Sequence, residues 1–494
     1  MKLSDLLFET ELEGISDPNE IEITAVCDHT EACLRGCLFI AREGRHFSPL
    51  SHLDLLEAKG VAALLVAKGT ALPRETGIPT FYAASLSDAE AEAFDRYYGR
   101  PAEGMRLFAV TGTNGKTSTA LILAHLLHAS GIPCGYIGTL GTHLGDEPIQ
   151  TDTSTMTTPS PSDLYRRLAA LKARGASCAV LEVSSHALAE GRVSRFSFDT
   201  AIFTNLSEDH LDYHKDMESY FLAKAALFAQ AEHAVINRDD AYGERLLSML
   251  SIPKESVGVL ADGTDLSVRD LYENGTEETQ YLCCAPFGDF PVTYPLFGGF
   301  NVYNTLLAIA AALRAGLCPR EIREALTTLK KPKGRLEALP LGEAFSVVID
   351  YAHTPDAMEK AIKAVRRATR GRLFVLFGAG GEREREKRPQ MGRIACALAD
   401  GVFITADNAR GEEQGKIFAD ILSGVGNAKG YSVIPDRADA IRAAVLCLKE
   451  GDTLLLLGKG HEEYMIEKNE TRPFSERAIV AAACKERKKD DHTT

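Results

Sequence analysis

A glycine-rich loop between an apolar strand and a helix constrains this chain more than any other feature. Residues 107–110 predict the strand and residues 118–130 the helix, and the loop between them contains Thr111, Gly112, Thr113, Asn114, Gly115, Lys116 and Thr117. The backbone N–H groups of such a loop bind phosphate, while its lysine reaches the terminal phosphates and its hydroxyl binds Mg²⁺. The full motif has a glycine where this chain has Val110, so the loop is a shortened form. The strand–loop–helix context argues against a glycine turn with a surface lysine.

Apolar strands alternate with helical sequence over most of the chain, which predicts an α/β fold. Residues 178–185 and 200–207 each predict a further strand, and the alternation favours a doubly wound parallel sheet with its site at the carboxyl ends of the strands. Residues 20–95 predict a small α/β domain, and residues 262–295 a β-rich excursion. A second βα-alternating, Rossmann-like domain follows the basic stretch near residue 330.

Composition excludes several classes of function. A formal net charge of −14 argues against a general nucleic-acid binder, because phosphate backbones reward clustered Lys and Arg. The N-terminus is acidic where a secretory signal would be basic, and no stretch approaches the roughly 18 apolar residues that span a bilayer. The 11 Cys lack paired metal-ligand spacing, which fits reduced thiols. We therefore expect a cytoplasmic monomer that acts on small molecules, without nucleic-acid or membrane partners.

Residues that could bind a metal ion lie at the ends of two further predicted strands. Glu182 ends the apolar run of residues 178–182, and a helix cap is the alternative interpretation. Residues 204–214 follow the next strand and place histidines among acids. One of them, His210, could bind a divalent ion through its neutral imidazole. A solvated acidic helix start is the other interpretation of that segment.

Lys224 places a cation among apolar residues. It lies one helical turn after Tyr220 and one before Phe228, at a spacing that brings side chains together on a helix. A lysine in such a place usually snorkels to solvent. The neighbouring residues alone leave that interpretation open.

Read together, these motifs resemble the Mur ligases, most closely the MurE type, which adds the third peptide residue to a UDP-N-acetylmuramoyl dipeptide. The resemblance covers residues 101–480 and is carried by TGTNGKTST, LEVSSHAL, FTNLSEDHLDYH, FGGFNVYN, GRLE, DYAHTPDAM, FGAGGEREREKRPQMG, DNAR and GKGHE. It implies that ATP phosphorylates the carboxylate of the nucleotide-linked peptide and that an amine attacks the acyl phosphate. ATP and Mg²⁺ are the implied cofactors. The family's plan implies a UDP-substrate domain over residues 1–100, an ATP-binding domain over 101–332 and an amino-acid-binding domain over 333–494.

The resemblance also implies roles for individual residues. Catalytic roles are implied for Lys116, Lys224 and His210. ATP contacts are implied for Gly112, Thr113, Asn114, Gly115, Lys116, Thr117, Ser118, Asn301, Asn304, Arg335, Asp350 and His353. Metal contacts are implied for Thr117, Glu182, His210 and Lys224, the last as a carbamate that would turn a buried cation into an anion. Contacts to the nucleotide substrate are implied for Thr157, Thr158, Ser184 and Arg192, for which ordinary turn chemistry is the alternative.

The segment from Asp407 to Arg410 lies where this family reads the incoming amino acid. Diaminopimelate ends in a carboxylate beside its distal amine, so Arg410 can pair with the carboxylate and Asp407 with the amine. Lysine lacks that carboxylate, and the guanidinium would repel its ammonium. Ala409 replaces the proline that is usual there, which removes no charge. We therefore expect meso-diaminopimelate rather than L-lysine as the acceptor. The amino-acid contacts implied are Arg383, Asp407, Asn408, Arg410, Gly458 and Glu462.

The first domain departs from the family pattern. Residues 28–30 read Asp-His-Thr where the family typically has DSR, and residues 45–49 stand where a DGHDF-like loop is typical. His46 and Ser48 are the candidate uridine contacts, with surface loop residues as the alternative. A paralogous ligase acting on a different carrier therefore stays open. Folylpolyglutamate-type or cyanophycin-type ligases do not explain DNAR and GKGHE together, and a silent binding subunit conflicts with a complete ATP site.

Overall fold

The computed structural model describes residues 1–14, 16–44, 48–150, 156–468 and 470–491, which fold into three α/β domains. The first domain consists of α1 Leu3–Leu6, β1 Leu12–Gly14, β2 Ala25–Cys27, β3 Cys37–Ile40, α2 Leu53–Ala58, β4 Ala63–Ala67, β5 Thr80–Ala83 and α3 Leu86–Tyr97. Its sheet has the order β1-β5-β4-β3-β2 and is parallel except for β1. The small α/β domain predicted from residues 20–95 is confirmed.

The central domain contains the sheet that carries the glycine-rich loop. Its elements are β6 Arg106–Thr111, α4 Lys116–Ala129, β7 Cys134–Gly138, β8 Gly141–Leu144, β9 Glu147–Pro148, α5 Pro161–Ala173, β10 Cys178–Glu182, α6 Ser185–Ala189, β11 Phe198–Phe203, α7 Leu211–His214, α8 Met217–Ala225, β12 Ala231–Asn237, α9 Ala241–Met249, β13 Lys254–Val257, β14 Ser267–Asn274, β15 Glu278–Cys284, β16 Phe290–Tyr294, α10 Gly299–Arg314 and α11 Pro319–Leu326.

The central sheet has the strand order β13-β12-β11-β6-β10-β7-β8-β9. Strands β13 to β7 are parallel, which confirms the doubly wound sheet. At the edge, β8 and β9 are antiparallel, which the sequence does not predict. Only two residues join β7 to β8, and so short a connection permits a hairpin but not a crossover. Strands β14 to β16 form a separate antiparallel sheet, as predicted for the β-rich excursion.

Alternate residues of the central strands belong to two cores on opposite faces of the sheet. On β6, Leu107 and Ala109 belong to the core that continues into the first domain. Phe108 and Val110 belong to the core formed with α4 and α10. This alternation is the period of a strand that is buried on both faces. Because one core is shared, the first domain is packed directly against the central sheet.

The third domain repeats the same architecture. Its elements are β17 Glu337–Ala338, β18 Ser346–Asp350, α12 Pro355–Ala368, β19 Leu373–Phe377, α13 Lys387–Leu398, β20 Gly401–Ile404, α14 Gln414–Val425, β21 Tyr431–Val433, α15 Arg437–Cys447, β22 Thr453–Leu457, β23 Tyr464–Glu467, β24 Glu470–Pro473 and α16 Glu476–Asp491. The sheet order is β17-β18-β22-β19-β20-β21, parallel from β18 onward. This confirms the predicted Rossmann-like domain. Within the described ranges, no helix is both long and apolar enough to cross a membrane.

Candidate active site

The glycine-rich loop leaves the carboxyl end of β6 and runs into α4. Gly112 and Gly115 have φ angles of 144° and 86°. A Cβ atom at Gly112 would lie 1.9 Å from Thr204 Oγ1, and one at Gly115 would lie 2.3 Å from Asn304 Oδ1. Glycine is required at both positions because any side chain would collide and strain the backbone. The loop is therefore held tightly between the end of β11 and helix α10.

A cavity of about 430 Å³ opens beside this loop. The residues that line it include most of the predicted ATP contacts, namely Asn114, Gly115, Thr117, Ser118, Asn304, Arg335, Asp350 and His353. Asn301 lies behind Asn304, whose Nδ2 donates to Asn301 Oδ1 at 3.0 Å. At another part of the wall lie Leu260, Phe300 and Tyr303, which the sequence motifs do not single out.

Lys116 and Lys224 converge on one backbone oxygen. The Nζ atom of each donates to the carbonyl oxygen of Gly112 at 2.9 Å, and Lys116 Nζ also donates to the carbonyl oxygen of Thr113 at 3.0 Å. Lys224 is 1 % exposed, so the interpretation that it snorkels to solvent is wrong. Burial, followed by the positive charge of Lys116, holds the pKa of Lys224 well below its ordinary value. A neutral amine is thereby favoured at this position.

Glu182 lies at the carboxyl end of β10 and is 1 % exposed. Its Oε2 accepts hydrogen bonds from Thr117 Oγ1 at 2.9 Å and from Thr139 Oγ1 at 3.1 Å. Its Oε1 accepts from Tyr136 Oη and from the Thr139 N–H. The alternative of a helix cap is wrong, because Ser184 caps α6. Tyr136 and Thr139 are not singled out by the sequence. The pairing of β7 with β10 brings Tyr136 to the carboxylate, and Thr139 follows in the turn between β7 and β8.

His210 lies in a cluster of rings at the end of β11. The centroid of the His186 ring is 4.8 Å from that of His210, 4.2 Å from that of Tyr213 and 5.5 Å from that of His214. Burial lowers the pKa of His210 to about 3, although Asp209 Oδ2 lies 3.4 Å from its Nε2. The imidazole is therefore neutral near pH 7 and able to bind a metal ion. Asp209 is buried, whereas Glu208 and Asp212 are exposed at the start of α7, so the alternative of a solvated acidic helix start holds for those two residues and not for Asp209.

Thr117 and Glu182 form a pair of oxygen donors that suits Mg²⁺. The hydroxyl of Thr117 and the carboxylate of Glu182 are hydrogen bonded to each other in a buried site. In the part of the chain that the structure describes, no three His, Cys, Asp or Glu side chains converge as a metal site. A cation here would complete its coordination with substrate oxygens and water, as Mg²⁺ commonly does.

The residues predicted to contact the nucleotide substrate lie together beside Glu182. Thr158 Oγ1 donates to the carbonyl oxygen of Glu182 at 2.9 Å and accepts from the Ser184 N–H at 2.9 Å. Arg192 Nη1 donates to the carbonyl oxygen of Thr158 at 2.8 Å, while its Nη2 pairs with Glu190 at 2.6 Å. Thr157 Oγ1 accepts from Thr139 Oγ1 at 3.2 Å. These hydrogen bonds fit ordinary turn chemistry, which was the alternative interpretation of Thr158 and Ser184. They also hold the Arg192 side chain against the backbone of Thr158.

The first domain contacts the central domain through the segment that departs from the family pattern. Asp28 Oδ2 accepts from Ser162 Oγ at 2.7 Å, and Asp28 Oδ1 lies 2.7 Å from His29 Nδ1. Ser48 Oγ donates to Glu43 Oε1 at 2.8 Å. His46 lies outside the described residues. Asp28 therefore links the two domains at the carboxyl-end side of the first sheet.

Residues of the third domain complete the cavity from the other side. Arg335 Nη2 donates to Thr117 Oγ1 at 3.0 Å, and its guanidinium lies 4.8 Å from the centroid of the Tyr351 ring. Asn114 Nδ2 donates to Asp356 Oδ2, at the start of α12, at 3.0 Å. The phosphate loop is thus bonded directly to the third domain at two points.

Asp350 fixes the segment that carries Arg335. It ends β18, and its two carboxylate oxygens accept the N–H groups of Leu336 and Ala352 at 2.8 Å each. His353 follows three residues later, and its Nδ1 lies 2.9 Å from the carbonyl oxygen of Tyr351. Asp350 therefore shapes the cavity indirectly, by fixing the backbone at Leu336, next to Arg335, and at Ala352.

The residues predicted to bind the amino acid lie in the loops after β19, β20 and β22. Arg410 has a φ angle of 53°, and its Nη1 donates to the carbonyl oxygen of Gly381 at 2.8 Å. Burial, followed by the charge of nearby Arg383, lowers the pKa of Arg410, so the two predicted arginines are neighbours. Gly458 has a φ angle of 105°, and a Cβ atom there would lie 2.4 Å from Asp407 Oδ2. Only glycine lets the carboxylate of Asp407 lie against this turn.

Asn408 and Glu462 are tied together by a lysine that the sequence motifs do not single out. Asn408 Nδ2 donates to Glu462 Oε2 at 2.8 Å. Asn408 Oδ1 accepts from Lys459 Nζ at 3.0 Å and from the Ile466 N–H at 2.9 Å. Asn408 therefore orients Glu462 and has its side-chain oxygen occupied within the protein. The signal for Lys459 is its place between two glycines in GKGHE.

Comparison with known proteins agrees with this geometry. Residues 110–312 match the family model of the Mur ligase middle domain, and residues 334–460 match that of the Mur ligase glutamate ligase domain. The chain is similar to the UDP-N-acetylmuramoyl-L-alanyl-D-glutamate--2,6-diaminopimelate ligase of Trichormus variabilis, with 39 % identity over 99 % of this chain and 100 % of that protein. The ligase of the same name from Geobacillus thermodenitrificans is 35 % identical over 99 % and 100 %. A solved structure with that name has a TM-score of 0.67 at 27 % identity and covers 99 % of both chains.

Proposed function

This chain belongs to the Mur ligase family, and from that premise we propose that it is an ATP-dependent ligase joining meso-diaminopimelate to UDP-N-acetylmuramoyl-L-alanyl-D-glutamate. The reaction belongs to the synthesis of peptidoglycan precursors. The observation that carries the proposal is the presence of Arg410 and of the carboxylates Asp407 and Glu462 in one partly buried region. A distal carboxylate and a distal amine can both be bound there. The full-length relatives named for this reaction support the same choice.

ATP occupies the cavity beside the glycine-rich loop in this proposal. The backbone N–H groups of the loop and the start of α4 face the phosphates, and Lys116 and Arg335 supply positive charge to them. The base packs at the apolar wall formed by Leu260, Phe300 and Tyr303, which is part of the same cavity. Asn304 and Asn301 hold the loop in place from α10. Gly112, Thr113, Asn114, Gly115, Thr117, Ser118, Asp350 and His353 complete the proposed ATP site.

The reaction has two steps. A carboxylate oxygen of the nucleotide-linked dipeptide attacks the γ-phosphorus of ATP, and ADP leaves. The amine of diaminopimelate, after losing a proton, then attacks the acyl carbon, and inorganic phosphate leaves as the amide bond forms. Lys116 stabilises the negative charge that spreads over the transferred phosphoryl oxygens. The neutral imidazole of His210 is placed to accept a proton or to bind a cation.

Thr117 and Glu182 are the residues proposed to hold Mg²⁺, with His210 and carbamylated Lys224 at a second position. When bound, Mg²⁺ neutralises phosphate charge and orients the phosphoryl group. The donor set on the protein supports this assignment, because Thr117 and Glu182 offer oxygen atoms 2.9 Å apart. The bonds from Tyr136 and Thr139 to Glu182 would set the orientation of the carboxylate.

A carbamate on Lys224 resolves the contact between two lysines. Nucleophilic attack of the neutral Nζ on carbon dioxide forms an N–C bond, and the nitrogen loses a proton, which leaves a carbamate anion. Lys224 is buried and lies beside Lys116, with one carbonyl oxygen between them. A carbamate would place a negative charge beside Lys116, which the neutral amine does not supply. We propose this modification as the resting state of the active enzyme.

Thr157, Thr158, Ser184 and Arg192 are the proposed contacts of the nucleotide substrate. They line the approach to Glu182 from the side of the first domain. Arg192 has a planar fork that suits a phosphate or carboxylate, and Glu190 holds it in place until the substrate binds. Arg383, Arg410, Asp407, Asn408, Gly458 and Glu462 are the corresponding proposal for diaminopimelate.

We propose that the three domains divide the substrates among them. Residues 1–100 bind the UDP substrate, residues 101–332 bind ATP, and residues 333–494 bind the amino acid. The enzyme is proposed to act as a monomer in the cytoplasm, without nucleic-acid or membrane partners. The contacts from Arg335 and Asp356 to the phosphate loop support a reaction carried out between domains.

The experiment that tests this function measures phosphate release from ATP with Mg²⁺ and UDP-N-acetylmuramoyl-L-alanyl-D-glutamate. It compares meso-diaminopimelate, L-lysine and no amino acid. Release that requires both the nucleotide and diaminopimelate is expected, with a product whose mass equals the two substrates less one water. Equal turnover with lysine would contradict the specificity, whereas no release from folded protein that binds ATP would indicate a different carrier.

A further inference from the structure

A buried lysine holds the carboxylates of the proposed amino-acid site, and neither the sequence motifs nor the reaction assign it a role. Lys459 lies in the turn after β22, between Gly458 and Gly460, whose φ angles are 105° and 54°. Its side chain is 0 % exposed. Burying an ammonium without partners is costly, so its surroundings must compensate its charge.

The partners of Lys459 are the polar groups proposed to receive the incoming amino acid. Its Nζ lies 3.0 Å from Glu462 Oε2, 3.0 Å from Asn408 Oδ1 and 3.7 Å from Asp407 Oδ1. The ring of Tyr464 lies below it, with its centroid 5.5 Å away. One cation therefore connects three residues that come from two separate loops. A lysine with a purely structural task would not need to bond to the residues proposed to bind substrate.

The charges of Asp407, Glu462 and Lys459 suit the binding of one more ammonium group. Together these three side chains carry a net charge of −1, which one ammonium of the substrate would neutralise. Burial acts to raise the pKa of Asp407, but the charges of Lys459 and Arg437 bring that pKa below its ordinary value. Without the lysine, the carboxylate of Asp407 would lose a compensating positive charge beside that of Glu462, and its pKa would rise. A protonated carboxyl attracts an ammonium far less strongly.

Several other charged or titratable groups face Asp407. They are Arg437 from α15, His353 from the loop after β18, Arg410 from the same loop as Asp407, Glu462 from the turn that carries Lys459, and the phenols of Tyr351 and Tyr464. Arg437 is already committed, because it donates to Glu476 Oε1 at 2.9 Å and to the carbonyl oxygens of Ala406 and Leu457. Lys459 is thus the cation that contacts both carboxylates.

We propose that Lys459 is a positioning residue that holds the carboxylates of Asp407 and Glu462 aimed at the distal ammonium of the incoming amino acid. Asn408 takes part because its oxygen accepts from Lys459 and its Nδ2 donates to Glu462. The inference rests on the proposed function, since it assigns the identity of the group that these carboxylates bind. It adds a residue that acts on selectivity without touching the reacting atoms.

The test replaces Lys459 with methionine, which keeps the length of the side chain and removes its charge. Lys333→Met is the matched control, because Lys333 pairs with neighbouring Glu463 at 2.8 Å but both side chains are about half exposed (49 % and 55 %). Initial rates are measured while the concentration of one substrate at a time is varied. The series is repeated from about pH 6 to about pH 9, a range that spans neutral pH. Tm and ATP binding of each variant are recorded alongside.

In Lys459→Met, KM for diaminopimelate should rise by about tenfold or more, because bonds to charged groups are among the strongest in proteins. KM for ATP and for the nucleotide substrate should stay unchanged. The acidic limb of kcat/KM for the amino acid should move to higher pH by about one unit, because Asp407 would lose the positive charge that lowers its pKa and would protonate more easily. Lys459→Arg, which keeps the charge, should restore the pH profile. Lys333→Met should behave as the wild type.

Three results would overturn the inference. They are an unchanged KM and pH profile in Lys459→Met, an equal loss for all three substrates, and a failure of Lys459→Arg to restore the pH profile. If Lys459→Met does not fold, Lys459→Gln takes its place, since it retains a hydrogen-bond donor without the charge, and the same pH shift is expected. Wild-type protein that does not use diaminopimelate at all would instead disprove the proposed function.

Discussion

Lys116 and Lys224 donate to the same acceptor, the carbonyl oxygen of Gly112, and each Nζ lies 2.9 Å from it. Two ammonium groups in this geometry would repel each other in a buried place. Burial lowers the pKa of both lysines, and it holds that of Lys224, which is 1 % exposed, well below its ordinary value. The glycine-rich loop and helix α8, which carries Lys224, are linked through the carbonyl oxygen of Gly112.

Replacing Lys116 with alanine should reduce phosphate release by about 10²–10³-fold or more, because a donor to the transferred phosphoryl group is lost. The fold should persist, since the ammonium bonds only to carbonyl oxygens of its own loop. Release of phosphate is measured together with Tm. The exposed Lys429 offers the control substitution Lys429→Ala. Turnover close to wild type in Lys116→Ala would contradict the assignment of the loop.

Replacing Lys224 with alanine should also nearly abolish turnover, because the proposed carbamate is lost. Short-chain carboxylates such as acetate should restore part of the activity by occupying the space of the carbamate. Lys224→Arg should be inactive and should not respond to acetate, since its guanidinium fills the space with positive charge. ¹³C NMR of wild-type protein in ¹³C-labelled bicarbonate should show a carbamate signal that Lys224→Ala lacks. A fully active Lys224→Ala would show that the lysine has no chemical role.

Arg410→Ala should reduce kcat/KM for diaminopimelate by about 10–100-fold, the loss expected for a hydrogen-bonded charge pair. The effect on L-lysine should be smaller, because lysine has no distal carboxylate to lose. Selectivity between the two amino acids is the quantity to measure. Arg393→Ala, an exposed arginine on α13, is the control. Equal losses with both amino acids would mean that Arg410 does not read the distal carboxylate.

Stability should depend strongly on Arg437, whose side chain is 0 % exposed and pairs with Glu476 at 2.8 Å. Arg437→Met leaves a buried carboxylate unpaired, which should reduce the free energy of unfolding by about 3–5 kcal/mol. Arg442 lies on the same helix and pairs with Asp439, but both side chains are exposed. Arg442→Met should therefore cost at most about 1 kcal/mol. Urea denaturation of the two variants compares them directly, and similar losses would contradict the argument.

Contiguous patterns made the central site predictable. The loop from Gly112 to Thr117, the end of β10 at Glu182 and the segment from Asp407 to Arg410 each lie within one short stretch of sequence that carries both the fold and the chemistry. The doubly wound sheet followed from the alternation of apolar strands with helices. Which residues bind which substrate stays a prediction that the experiments above address.

Residues that meet across long stretches of sequence were not predictable. Tyr136 reaches Glu182 although 46 positions separate them, because β7 pairs in parallel with β10 and Tyr136 lies opposite Val180, two residues before Glu182. Lys459 is 51 positions from Asn408. Neither partner carries a periodic signal. Tyr136 meets Glu182 across the paired strands β7 and β10, whereas Lys459 and Asn408 lie in loops after β22 and β20, which β19 separates in the sheet. The helix-cap interpretation of Glu182 and the snorkelling interpretation of Lys224 were wrong for the same reason.

The contact between Arg335 and Thr117 makes the joint between two domains part of the nucleotide site. Arg335 lies in the segment between α11 and β17, where the chain passes from the second domain to the third. Any swing of the third domain away from the cavity must remove Arg335 from Thr117 and Asp356 from Asn114. An open form would hold an incomplete version of the proposed ATP site, and we expect it to hydrolyse ATP more slowly than the closed form. The connecting segment thus links the position of the third domain to the completeness of the proposed ATP site.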